Sequence, residues 1–257
     1  MSATAPPPRP KPKMSRARAV ALARWGIIGA IALFLEVYGR YADPAFMQPL
    51  SAVARAWVDP IMSDPRIRYA LLLTIFEIAV AYGLSIVFGF LIGVGIGATN
   101  LSRKALYPII LLLYAIPQVS LMPLVVLIFG LGPAAKIFFG FSHGVFPIIV
   151  NVVAGMRNVS QLYMRAASSM GASRVEIVRH VIFPNMVPAF FVGLRLAMTL
   201  TLLGVILAEL YVSTGGIGYF TRLYAESYNP APLFALIASL AIIAVTFNEL
   251  EIGRAHV

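Results

Sequence analysis

The sequence contains no cysteine and few charged residues. The absence of cysteine excludes a disulfide framework, a thiolate nucleophile and a cysteine metal site. Charged residues make up 12% of the 257 residues, whereas soluble domains carry about 25%. A water-facing surface needs more charged residues than this. In addition, 60% of the residues are apolar or aromatic, and the mean hydropathy is +0.87. The composition therefore predicts a protein of the lipid bilayer.

The sequence also lacks the motifs for ATP hydrolysis and for metal binding. A phosphate-binding loop needs the pattern Gly-x4-Gly-Lys-Ser/Thr, and none of the four lysines follows a glycine. The three histidines have no metal-ligand spacing; they are His143, His180 and His256. We therefore expect no enzyme activity, no cofactor and no metal in this chain, and any ATP hydrolysis must occur in a separate subunit.

The net charge of +10 is concentrated near the amino terminus. Six cations and no acid precede the first apolar stretch: Arg9, Lys11, Lys13, Arg16, Arg18 and Arg24. A basic arm is typical of nucleic-acid or membrane-surface binding, but cations beside a first span more often hold that end in the cytoplasm. We expect no nucleic-acid partner. Residues 1–20 are proline-rich and predicted to be a disordered cytoplasmic tail, and residues 251–257 are expected to be a non-native tail.

Six apolar stretches are long enough to be considered as membrane helices. They lie at residues 21–38, 70–98, 106–129, 134–155, 187–212 and 232–250. The first is the shortest and contains Glu36. Lipid offers no hydrogen-bond partner for a free backbone, so helices are the expected spanning structures. The predicted fold class is an all-α, polytopic integral membrane protein with six transmembrane helices, whose transmembrane domain occupies residues 21–250.

The distribution of lysine and arginine predicts the orientation of these spans. If the amino terminus lies inside, the inner segments carry twelve cations and the outer segments five. Cytoplasmic segments are enriched in Lys and Arg. We therefore predict a multi-pass membrane protein with both termini cytoplasmic. The polar segment at residues 156–185, between the fourth and fifth spans, is then also cytoplasmic.

Residues 156–185 form the most informative segment of the chain, here called the knuckle. Residues 161–169 predict one short helix, which Gly171 would end in a left-handed conformation. Ser173 followed by Glu176 predicts a capping box that starts a second helix, and Pro184 predicts its end. Connections between helices usually have about two to eight residues, so this length favours a docking surface over a plain connector. A DNA-reading helix-turn-helix is disfavoured because both ends are tied to the membrane.

The knuckle resembles the EAA loop of ABC importer permeases. That pattern is Glu-Ala-Ala, three residues, Gly, nine residues and Ile-x-Leu-Pro. The positions that match at this spacing are Ala166, Ala167, Gly171 and Pro184, and Val181 and Phe183 are conservative replacements. Arg165 departs from the pattern, because the family has Glu at this position. The resemblance implies that the knuckle is a coupling helix for a cytosolic ATPase, carried by Arg165, Ala166, Ala167, Gly171, Ser173, Glu176 and Pro184.

Further motifs between residues 71 and 248 are similar to the nitrate/sulfonate/taurine branch of these permeases. They include Ala115-Ile116-Pro117, Met122-Pro123-Leu124, Gly193-Leu194-Arg195, Ala208-Glu209 and Gly216-Ile217-Gly218-Tyr219. The resemblance implies a type I importer fold in the bacterial inner (plasma) membrane. It also implies three kinds of partner: a cytosolic ATP-binding subunit, a second permease copy in a homodimer, and a substrate-binding protein outside. The expected cargo is a small polar or anionic solute of the sulfonate, nitrate, taurine or thiamine-precursor class, carried by alternating access.

Charged groups within the spans are candidates for the translocation path, since burying them in lipid is costly. They are Glu77, Arg195 and Glu209. The alternative is that Arg195 and Glu209 reach water at opposite membrane surfaces. A carrier driven by an ion gradient is the rival function, but it would need more ionisable groups within the spans. A membrane-embedded enzyme is a further rival, and the spans contain no convergent His, Asp or Cys set that would serve it.

Glycine also repeats at close-packing intervals in the second span. Gly89, Gly93 and Gly97 recur every four residues, with Gly83 and Gly95 nearby. Small residues at this spacing allow helix backbones to approach closely. We expect ordinary packing inside one helix bundle rather than a dimer contact.

Overall fold

The computed structural model describes residues 16–61 and 63–252. The regular elements of the described residues are helical and include no strand, which confirms the predicted all-α class. The α-helices are α1 (Arg16–Tyr41), α2 (Leu50–Ala56), α3 (Pro65–Gly97), α4 (Asn100–Ala115), α5 (Met122–Phe129), α6 (Pro133–Arg157), α7 (Gln161–Ser169), α8 (Arg174–Ile177), α9 (Phe183–Val212), α10 (Ile217–Glu226) and α11 (Pro230–Ile252). Short π-helical turns at Trp57–Ile61 and Val178–Ile182 and a 3₁₀ turn at Gln118–Leu121 connect some of them.

The core of the bundle is α6, which packs along α3 on one side and α9 on the other. Glycines of α3 make the first contact possible. A Cβ at Gly89 would lie 2.8 Å from the Cβ of Ile148, and one at Gly93 would lie 2.8 Å from the Cβ of Val152. Both distances are shorter than real side chains tolerate, so only glycine fits. The glycine repeat therefore packs within this chain, as predicted.

Among the described residues, five helices are long and apolar enough to cross a membrane, and a bent pair of helices makes six if it counts as one span. This pair corresponds to the third predicted span: α4 and the segment Gln118–Phe129 meet at an angle of 81°. Pro117 explains the break. It has no N–H to continue the helix, and it pushes Ile116 out of the helical region, to φ −65° and ψ 129°. The other five predicted spans each coincide with one helix.

The predicted end of the second knuckle helix before Pro184 is also wrong. The chain stays helical from Arg174 through the π-helical turn at Val178–Ile182 to Val212, over 39 residues. Pro184 lies just after the π-helical turn, where the i→i−4 hydrogen-bond pattern that a proline would break is already replaced by i→i−5 bonds. The side-chain amide of Asn185 also donates to the carbonyl of Val181 at 2.7 Å. The knuckle and the fifth span therefore share one continuous helix, here called the rod.

The first span begins earlier than predicted, at Arg16, so the last five residues of the expected tail are helical. Residues 1–15 of that tail and residues 253–257 of the expected non-native tail lie outside the described residues. Glu36 of α1 accepts hydrogen bonds from the backbone N–H and the hydroxyl of Ser51, each at 2.9 Å. This acid in an apolar span thus caps the start of α2.

Candidate functional site

The knuckle consists of the short helix α7 and the first turns of the rod, which a tight turn joins. Ser160 caps α7 by accepting a hydrogen bond from the N–H of Leu162 at 3.2 Å. Gly171 has φ +81°, a left-handed conformation that glycine adopts without strain. The N–H of Ala172 then donates to the carbonyl of Ala167 at 3.1 Å, which closes the end of α7. The knuckle lies at the end of the bundle where α6 finishes and α9 begins.

The predicted capping box at the start of α8 is present. Ser173 accepts from the N–H of Glu176 at 3.3 Å, and the Glu176 carboxylate accepts from the N–H of Ser173 at 2.7 Å. The backbone hydrogen bond from Ser173 holds the pKa of Glu176 below its usual value. The cap sets the direction in which the rod leaves the turn, since it fixes the first residues of that helix.

We expect this cap to respond to pH. A carboxyl whose pKa is lowered on folding stabilises the folded state above its unfolded pKa, and that stabilisation is lost as pH falls through the lowered value. Amide hydrogen exchange of residues 173–178, corrected for intrinsic rate, should therefore show protection at neutral pH that is lost under acidic conditions. Glu176→Gln should remove most of this pH dependence. Equal pH dependence in both proteins would contradict the assignment.

The knuckle presents a surface of mixed apolar and basic character. Leu162, Tyr163 and Met170 are exposed, with 87% of Met170 accessible. Arg165 and Ala166 are also exposed, whereas Ala167 is half-buried. Apolar side chains facing water in one cluster commonly mark a binding surface for another protein. The residues singled out from the sequence therefore lie together on one projecting element.

A second site lies at the opposite end of the bundle, where four polar side chains are buried among the spans. We call Thr74, Glu77, Lys136 and Glu209 the buried cluster; each is at most 2% exposed. Lys136 Nζ of α6 pairs with Glu77 Oε1 of α3 at 2.5 Å and donates to the carbonyl of Gly215 at 3.1 Å. The hydroxyl of Thr74 donates to Glu209 Oε1 at 2.6 Å. The helices α3, α6 and α9 thus contact one another through buried polar and charged side chains. A buried charge is stable only when it is paired.

The loop after α9 is held by the same cluster. The N–H of Gly218 donates to Glu209 Oε2 at 2.8 Å, and the N–H of Ile217 donates to the hydroxyl of Thr74 at 2.9 Å. Gly216 has φ +102°, and a Cβ there would overlap the Glu209 carboxylate. The Ala208-Glu209 motif therefore contacts the Gly216-Ile217-Gly218 motif directly, through the carboxylate of Glu209.

The structure brings two of the three predicted path residues together and leaves the third apart. Glu77 and Glu209 both lie in the buried cluster, whereas Arg195 is exposed on α9, fourteen residues before Glu209. Sequence reasoning missed Thr74 and Lys136 as their partners. One signal was available, since Thr74 lies three residues before Glu77 and so shares its helix face. Within the described residues no group of His, Asp and Glu has the arrangement of a metal site.

Comparison with known proteins agrees with this architecture. The family described as binding-protein-dependent transport system inner membrane component matches residues 85–249. The taurine transport system permease protein TauC of Escherichia coli is 30% identical over 88% of this chain and 84% of its own length. The nitrate import permease protein NrtB of Synechococcus elongatus is 28% identical over 82% of this chain and 74% of its own length.

A solved structure shares the fold. It is a chain of the MetNI methionine ABC transporter in inward-facing conformations, with a TM-score of 0.60 and 23% identity. The match covers 75% of this chain and 98% of that chain. The chain therefore belongs to the binding-protein-dependent transport system inner membrane components, and its relatives place it in the nitrate/sulfonate/taurine branch of these ABC importer permeases.

Proposed function

We propose that this chain lines the translocation path of an ATP-driven importer and receives force through its knuckle from a separate ATPase subunit. The single observation that carries the proposal is the knuckle itself. It is an ordered, doubly capped element with exposed Leu162, Tyr163 and Met170. A connector between two spans needs none of these features, whereas a surface that docks into a cleft needs all of them.

The proposed orientation places the knuckle and both termini in the cytoplasm. The knuckle end of the bundle carries six cations: Arg103, Lys104, Arg157, Arg165, Arg174 and Arg179. This bias favours the cytoplasmic side, where an ATPase would be found. The opposite end, with the buried cluster and the loop before α10, would face a substrate-binding protein.

Two copies of the chain would form the path, each with its own ATPase subunit. The charge of Arg165 does not prevent such docking, because it is exposed at the rim of α7 and makes no contact that shapes the knuckle. The absence of a phosphate-binding loop in the sequence supports a separate source of ATP hydrolysis. In the proposed cycle, the two knuckles move with the ATPases, and the spans alternate between outward-open and inward-open arrangements.

The proposed cargo is a small polar or anionic solute. Support comes from relatives named for taurine and nitrate, together with others named for aliphatic sulfonates and formylaminopyrimidine. The first three of these solutes carry a compact anionic group, and all four are small and polar. Selection among them would rest mainly with the substrate-binding protein.

The experiment is uptake by proteoliposomes that contain the permease, the ATPase subunit and the binding protein. Radiolabelled taurine, an alkanesulfonate and nitrate serve as separate probes. We expect uptake of at least one probe that requires ATP and all three protein components. Uptake by the permease alone, driven by a proton or sodium gradient, would contradict the proposal and support a secondary carrier instead.

A further inference from the structure

We propose that Glu209 and Thr74 are positioning residues that join the outer loop at residues 213–218 to the far end of the rod, so that movement of the knuckle also moves this loop. The inference rests on the proposed function and extends it from the cytoplasmic end of the chain to the other end. It assigns these two side chains to transmission of movement rather than to contact with the transported solute.

The rod supplies the mechanical connection. It begins at Arg174 in the capping box and remains helical past Glu209. At 1.5 Å per residue the distance from Arg174 to Glu209 is about 50 Å, which exceeds the thickness of the bilayer core. Within this length the π-helical turn at Val178–Ile182, Pro184 and Pro188 are points at which a helix can bend, but the chain stays helical through all of them to Val212. From residue 189 to Glu209 the rod contains no proline and packs along α6, so a displacement of its knuckle end reaches Glu209 through one continuous helix.

Glu209 then connects the rod to α10. Its carboxylate accepts one hydrogen bond from the N–H of Gly218 in the first turn of α10 and one from Thr74 of α3. Thr74 in turn accepts from the N–H of Ile217. All four residues are buried. Because these atoms are buried, separating the rod from α10 would leave buried polar groups without partners.

A second set of hydrogen bonds also connects α10 to the rod, and here the donor lies on α10. Arg222 of α10 donates to the carbonyls of Leu210 at 3.1 Å and Tyr211 at 3.3 Å. These are among the last carbonyls of α9, which have no partner within their own helix. The guanidinium group also lies 3.4 Å from the carbonyl of Ser213. The end of the rod, the loop and α10 are thus bonded to one another at several points.

The loop at residues 213–218 also has an exposed residue, and a label attached there can report the position of the loop. Thr214 is exposed and lines a cavity of about 390 Å³ beside the start of α3. Pro65, Tyr69 and Leu73 form the facing wall. Because the chain has no native cysteine, a thiol at position 214 is a single probe of this face.

The experiment uses the full complex in proteoliposomes with Thr214→Cys as the reporter. The labelling rate by a membrane-impermeant maleimide is compared between nucleotide-free and vanadate-trapped complexes. We expect the two states to differ severalfold when the cluster is intact. Glu209→Leu, and the milder isosteric change Thr74→Val, should bring the ratio close to one and lower uptake about tenfold, while ATP hydrolysis continues. Thr246→Val is the matched control for Thr74→Val, because this exposed threonine lies on α11 outside the cluster and donates only to the carbonyl of Ile242 on its own helix.

Two outcomes would overturn the inference. One is a reporter whose labelling does not depend on nucleotide although uptake is normal. The other is a Thr74→Val or Glu209→Leu complex that keeps both the full labelling ratio and normal uptake. The proposed function is tested separately, since it fails only when the complex with an intact cluster shows no ATP-dependent uptake.

Discussion

Lys136→Met is expected to destabilise the protein strongly. The Lys136 and Glu77 side chains are both buried, and their charged atoms lie 2.5 Å apart. Removing one partner of a buried pair leaves the other charge without compensation, which costs about 3–5 kcal/mol. Thermal unfolding in detergent should show a clearly lower midpoint, and less protein should remain monodisperse after extraction.

The matched control is the ion pair between Arg66 and Asp64, at 3.0 Å on the surface. Arg66→Met should change the unfolding midpoint little, because exposed pairs contribute little to stability. The double variant Lys136→Met with Glu77→Gln should recover most of the lost stability, since no charge is then buried alone. Equal effects of Lys136→Met and Arg66→Met would show that the buried pair does not stabilise the fold.

Gly93→Val is expected to disrupt packing between α3 and α6, whereas Gly95→Val, two residues later, should be tolerated. A Cβ at Gly93 would lie 2.8 Å from Val152 and 3.3 Å from the Cα of Ile149, but nothing lies within 4 Å of one at Gly95. Overpacking of this kind costs about 1–3 kcal/mol and more when backbones must separate. The measurement is the unfolding midpoint and the yield of folded protein.

Gly95→Val also controls for the change in helix propensity, since both substitutions introduce the same side chain into the same helix. Similar destabilisation by the two variants would mean that propensity or lipid contact, rather than the contact between α3 and α6, requires glycine. Destabilisation by Gly93→Val alone would confirm that the two helices approach closely at this position.

Local features of the fold were predictable from the sequence because their causes are local. The capping box of Ser173 and Glu176 and the left-handed turn at Gly171 depend on residues a few positions apart. The positions of the spans follow from hydropathy alone. The outcome at Pro184 was different, because a proline is excluded from a helix only where its missing N–H would break a regular i→i−4 hydrogen bond. Sequence alone did not indicate the π-helical turn that precedes Pro184.

The buried cluster could not be assembled from the sequence. Thr74 and Glu209 are 135 residues apart in the chain, and Lys136 lies between them. Each charge was visible as an unusual residue in an apolar segment, but one sequence does not show which distant groups pair. Lys136 in particular is the third residue of the predicted span at residues 134–155, where a lysine side chain is expected to reach the membrane surface. Only the packing of α3, α6 and α9 brings these side chains within hydrogen-bond distance.

The measurement that tests the account most directly is a photochemical crosslink from the knuckle to the ATPase subunit. The thiol goes on Met170, which is 87% exposed, because Gly171 has a positive φ that a cysteine would strain. Met170→Cys carrying a benzophenone maleimide should form an adduct with the co-expressed ATPase under turnover, whereas Thr214→Cys with the same label should form none. Absence of the adduct from position 170, or an equal adduct from position 214, would contradict the central claim that the knuckle is the docking element.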